Sequence, residues 1–174
     1  MEKMLKLSFQ EKKVTSFYND KDDTGKSFTG YLGAYDDDNI LIYHISPRGL
    51  YDGYILLERD SVFQLDFYGK YEKKIEYLYD SKKQQHQNVV ITEDGVLNSL
   101  LQFAQQNRYL VYIGLQDSSV TGLIKEFDEE NICLEVYTNY GEADGISTVL
   151  VEEVMMVVVD SDDEQDMALL AGLN

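Results

Sequence analysis

The stretch Thr121-Gly122-Leu123-Ile124-Lys125-Glu126-Phe127-Asp128-Glu129-Glu130-Asn131-Ile132-Cys133-Leu134 decides the fold, because the chain has already run through a version of it. The earlier version is Thr29-Gly30-Tyr31-Leu32-Gly33-Ala34-Tyr35-Asp36-Asp37-Asp38-Asn39-Ile40-Leu41-Ile42. Thr-Gly, an aromatic followed by Asp, and Asn-Ile recur in the same order at an offset of 92 (131 − 39). The offset then holds without a gap: Gly49 falls on Gly141, Asp52-Gly53 on Asp144-Gly145, and Val62 on Val154. Self-similarity at constant spacing marks an internal duplication. The 174 residues are therefore read as two small domains in tandem rather than one large one.

Around each copy of the motif the chain alternates short apolar runs with turn residues. In the first copy, residues 28–35 and 40–45 flank Asp36-Asp37-Asp38 as two strands of a hairpin. Asp and Asn suit such turns because their side chains accept hydrogen bonds from nearby amides and tolerate left-handed backbone. Ser46-Pro47-Arg48-Gly49 opens a longer connection, and residues 54–57 and 62–67 supply two more strands around a kink at Glu58-Arg59-Asp60. Short strands separated by turns predict a small antiparallel barrel in each copy.

Helices are expected around the strands. Ser161-Asp162-Asp163-Glu164 has the form of a capping box, followed by Met167, Leu170 and Leu173 at helical spacing. Tyr71, Ile75 and Leu78 keep the same spacing in the first copy. Thr92-Glu93-Asp94-Gly95 starts a further helix, with Val96, Leu97, Leu100, Leu101 and Ala104 on one face. Residues 3–18 open with a pattern that fits either a strand (Leu5, Leu7, Phe9) or a helix (Met4, Leu5, Phe9). Residues 154–159 are apolar throughout, which predicts a strand covered on both faces. The expected division is a first barrel with a C-terminal helix over 1–81, a polar linker over 82–91, and a second barrel with an N-terminal and a short C-terminal helix over 92–174.

Composition narrows the function. The net charge of −17 is uneven: residues 88–174 carry Arg108 and Lys125 against seventeen carboxylates, whereas residues 1–87 carry thirteen basic and fifteen acidic residues. Phosphate binding rests on Lys and Arg, so the second copy should repel a polyanion, and RNA is disfavoured as a partner. A hydrophobic share of 44% supports a packed core. No run of about 18 apolar residues occurs, so no membrane association is expected and the expected location is the cytoplasm.

The chemistry of single residues adds little. Cys133 is the one cysteine, at an apolar strand position, and is read as a small buried hydrophobe. His44 and His86 have no ligand or nucleophile beside them in sequence. Residues 160–164 lack the glycine and the bidentate glutamate of a calcium loop, and no phosphate-binding glycine loop or nucleophile elbow occurs. Neither a cofactor, a metal nor catalysis is expected. The fourteen tyrosines, Tyr43, Tyr51, Tyr54, Tyr68 and Tyr71 among them, suit half-buried strands and protein interfaces better than base stacking.

Taken in order, these features resemble the Sm-like family. Gly122, Phe127-Asp128, Asn131-Ile132 and residues 149–154 follow its pattern, as do Gly30, Tyr35-Asp36, Asn39-Ile40 and residues 57–62. The resemblance implies a mainly β fold with flanking helices (α+β), built as two tandem small five-stranded antiparallel Sm-like, SH3-like barrels. It also implies self-association through barrel edge strands, or a protein partner. In RNA-binding members, the loop after strand two and an Ile-Arg-Gly-Asp-like loop hold bases. Asn39 and Asn131 keep the first element, but the family arginine falls on Glu58 and Leu150, and the glycine on Arg59 and Val151. The candidate ligand or RNA contacts are thus Asn39, Tyr43, Arg48, Tyr51, Arg59 and Asn131, with RNA binding by the first barrel as the alternative function.

Overall fold

The computed structural model describes residues 1–173 and divides into two compact units, Met1–Val89 and Val90–Asn174. The described residues form ten antiparallel strands and four helices, a mainly β protein with flanking helices. None of the helices is long and apolar enough to cross a membrane.

In the first unit, α1 (Glu2–Glu11) precedes β1 (Thr15–Tyr18), β2 (Phe28–Tyr35), β3 (Asn39–Ile45) and β4 (Tyr51–Glu58). A 3-10 turn (Arg59–Ser61), β5 (Gln64–Phe67) and α2 (Lys70–Ser81) follow. The strands lie in the order β5-β1-β2-β3-β4. The ambiguous opening residues are helical: Leu5 and Ser8, one turn apart, are buried, while Met4 and Phe9 stay exposed. Lys12, in left-handed conformation, ends that helix before β1 begins.

In the second unit, α3 (Gly95–Asn107) precedes β6 (Leu110–Gly114), β7 (Ser119–Phe127), β8 (Asn131–Tyr137) and β9 (Ala143–Leu150). A second 3-10 turn (Val151–Glu153), β10 (Met156–Val159) and α4 (Asp162–Leu170) complete it, in the order β10-β6-β7-β8-β9. Every element from β3 to β5 has a counterpart with bounds 92 positions later. The register shifts of β2 on β3 at Leu32/Ala34 and of β3 on β4 at Tyr43/Ile45 recur at Ile124/Glu126 and Glu135/Tyr137. Such bulges bend a strand and re-aim its side chains.

Glycine keeps its place in both copies where backbone passes backbone. A Cβ on Gly30 would collide with the carbonyl of Tyr43, and one on Gly122 with the carbonyl of Glu135. Gly49 and Gly141 have φ of 68° and 76° and sit against Leu78–Tyr79 and Leu170–Ala171, so both the conformation and the space exclude a side chain.

Each unit packs its C-terminal helix on the sheet, with Ile75 and Met167 in equivalent places. Ile75 and Tyr79 of α2 join Val14, Ile45 and Tyr31, while Met167 and Ala168 of α4 join Leu110, Tyr137 and Leu123. Near β10 the burial alternates: Val157 and Val159 are buried, Met156 and Val158 half-buried, and Met155 exposed. The run 154–159 is therefore not covered on both faces. Branched side chains favour a strand even where one face stays half open.

Candidate functional site

At the β2–β3 turn of the first unit, the Asp36 carboxylate accepts hydrogen bonds from the amides of Asp38 (3.0 Å) and Asn39 (2.7 Å). The Asp36 amide donates to the Asn39 carbonyl at 3.0 Å, closing the turn. This bonding is why an acidic tripeptide serves as a hairpin tip. The 3-10 turn is tied to the same tip, because the Arg59 amide donates to the Asp38 carbonyl at 2.8 Å.

The Arg59 side chain folds back over this tip. Its Nη1 donates to the Asp36 carbonyl at 2.8 Å and lies 3.8 Å from the Asp37 carboxylate, and its Nη2 pairs with the Glu2 carboxylate on α1. The guanidinium carbon stands 5.9 Å from the centre of the Tyr35 ring. Asn39 and Arg59 are thus neighbours, but Arg59 is already neutralised by this chain's own acids. Arg48 lies beyond the opposite end of β3, in the Ser46–Leu50 connection, where its carbonyl accepts a bond from Lys82. Six β-strand residues span about 20 Å, so Arg48 and Arg59 do not form one cationic groove.

Tyr43 and Tyr51 belong to a second cluster, centred on His86. The rings of Tyr43 and Tyr79 lie near-parallel to the imidazole at 5.5 and 5.7 Å, Tyr51 tilts against it at 4.7 Å, and Tyr54 meets it edge-on at 5.4 Å. Gly33 leaves the space into which the Tyr43 ring folds. His86 Nε2 donates to the Gly53 carbonyl at 2.9 Å, and its Nδ1 accepts from the Tyr79 hydroxyl at 2.7 Å. A carbonyl only accepts, so the neutral ring carries its proton on Nε2. Burial holds the His86 pKa down at about 4, although the hydrogen bond to the Gly53 carbonyl opposes the shift. Burial likewise pushes the Tyr79 hydroxyl up to about 12.

The polar stretch around His86 packs on the first unit. Gln84 accepts the Tyr51 amide (3.0 Å), the Gln87 carbonyl accepts the Tyr54 hydroxyl (2.8 Å), and the Tyr43 hydroxyl bridges Asn88 (3.2 Å) and the Val89 amide (2.9 Å). Its lack of periodicity hid this, because the segment docks by single side chains rather than by a repeating face. Tyr68 and Tyr71, grouped with these tyrosines by sequence, are exposed elsewhere, Tyr68 bonding Glu11. His44 bonds Asp52 at 3.1 Å.

Asn131 repeats the role of Asn39. The Asp128 carboxylate accepts the amides of Glu130 and Asn131, each at 2.8 Å, and these bonds lower its pKa below the usual carboxylate range. The position of Arg59 is taken by Val151, whose amide keeps the bond to the tip at the Glu130 carbonyl (2.8 Å). Cys133 is half-buried on β8.

Sequence reasoning missed one buried acid. Glu72 is buried and accepts the Ser16 hydroxyl at 2.6 Å, within a chain of hydroxyls that includes Thr29. Its counterpart Glu164 is the recognisable half of a capping box, but Gly69 replaces Ser161 in the first copy and erases that motif. The offset of 92 alone would have found it. No protein-family model matches the chain, and no curated protein matches it in sequence.

Proposed function

We propose that this chain is a tandem Sm-like repeat protein that works without catalysis, by assembling with itself or by binding another protein. Three features support the family reading: a helix before five strands, the order β5-β1-β2-β3-β4 in both units, and bulges that bend the strands at matching positions. In this reading each unit is a partly open small barrel whose edge strands can pair with a partner.

The observation that carries the association reading is the contrast between β4 and β9. Tyr54 on β4 is 1% exposed beneath His86, whereas its counterpart Ile146 on β9 is 64% exposed. Thr148 and Leu150 share the exposed face of β9 with Ile146. A long edge strand carrying apolar and β-branched residues recruits a partner strand unless it is protected.

Light scattering on the full chain, with Ile146→Lys beside it, tests this. The unaltered chain should exceed the mass of one copy at about 100 μM, and the lysine should return it to a single copy. A chain that remains single, and that captures the same proteins from extract with or without the lysine, overturns the reading.

A further inference from the structure

The two units differ at one place where their frames agree. In the first, an arginine of the chain lies in a socket made by Glu2 of α1, the Tyr35 ring, the Asp36 carbonyl and the Asp37 carboxylate. The second unit keeps three of its four parts and has an amide in place of the Glu2 carboxylate. Tyr35, Asp36 and Asp37 correspond to Phe127, Asp128 and Glu129, each 92 positions on. The left-handed caps Lys12 and Arg108 align α1 with α3 at an offset of 96, which places Asn98 on Glu2. Val111 opposite Gly122, like Thr15 opposite Gly30, gives the same offset for the strands that follow these helices.

The arginine is what the second copy lacks, since Arg59 corresponds to Val151. In its place is an open groove of about 520 Å³ lined by Asn98, Phe127, Asp128 and Glu129. The start of α3 adds Glu93 and Asp94 to its wall. Among the described residues, Glu93, Asp128 and Glu129 make no ion pair.

We infer that this groove is a docking site for an arginine side chain of a protein partner, seated as Arg59 is seated in the first unit. Five groups on four residues support it. The ring of Phe127 offers a face for a planar cation, the Asp128 carbonyl and Asn98 amide offer acceptors, and the carboxylates of Asp128 and Glu129 supply charge. The amides of Glu130 and Asn131 hold the Asp128 carboxylate in place. A partner that presents arginine also complements a half-chain with two basic residues against seventeen acidic ones. The inference gives the association reading a chemical partner, and the two fail separately: assembly through β9 does not require the groove.

The test is a titration of the isotope-labelled full chain with acetyl-Gly-Arg-Gly-amide, followed by amide chemical shifts, beside the citrulline and lysine versions of the peptide. The arginine peptide should give saturable shifts confined to residues 93–102 and 127–131, at least tenfold tighter than either control. Val151→Arg should abolish them by filling the groove from within. Glu129→Gln, an exposed change that leaves the turn intact, should weaken binding at least threefold. Equal response to citrulline or lysine overturns the inference. So do shifts spread over the acidic surface and reproduced by spermidine or magnesium, or an unshifted groove at 10 mM peptide.

Discussion

His86 shows how far a residue's surroundings can outrun its neighbours in sequence. A polar stretch suggested solvent, yet the imidazole is enclosed by four tyrosines and keeps its proton on the nitrogen that faces Gly53. Its pKa is near 4 when folded and 6.5 when exposed, so the unfolded chain binds the extra proton between those values. Stability attributable to His86 is present in full above pH 6.5 and is lost as pH falls through 4, by about 3 kcal/mol from a shift of this size. Urea denaturation of the chain between pH 7 and 4 should show this loss, and His86→Phe should flatten the curve. Glu164 works the other way, since burial raises its pKa, and the comparison must hold that residue unchanged. An unaltered slope in the His86 variant would assign the acid sensitivity elsewhere.

At the level of elements, legibility followed periodicity. The apolar spacing of α3, the Ser-x-x-Glu start of α4 and the Asp-rich hairpin tips all have local causes, and all stand where those causes place them. Burial of β10 was less legible, because an unbroken valine run says strand without saying how much of each face is covered. The Arg59 latch was illegible for a different reason: it joins α1, the β2–β3 turn and a 3-10 turn that are distant in sequence. The capping box offers a direct check. Ser161→Ala removes the acceptor for the first-turn amides of α4 and should cost about 1 kcal/mol. Hydrogen exchange would register the loss in amides 163–170 while leaving α2 protected; uniform loss across both helices would contradict a local cap.

For the whole molecule, the two copies agree in backbone and disagree in charge. The second half carries nearly all of the net negative charge, and the first half's Arg59 is bound by Glu2 and Asp37. Titration of labelled U-rich and A-rich single-stranded RNA should therefore give no binding even at about 50 mM salt, where phosphate contacts are strongest. Binding that weakened linearly in log–log with salt would restore the RNA reading of the first unit, and Arg59→Ala and Asn39→Ala would then locate it.

Adjacent copies with one register also pose a pairing problem, because β7 could compete with β2 for β3. Such intrachain hybrids form without regard to dilution and are a common failure of repeat proteins. The Tyr43 ring folds into the space left by Gly33, and the residue in that place on β7 is Lys125. A hybrid would drive a lysine into an aromatic ring, so one glycine, absent from the second copy, disfavours the wrong pairing.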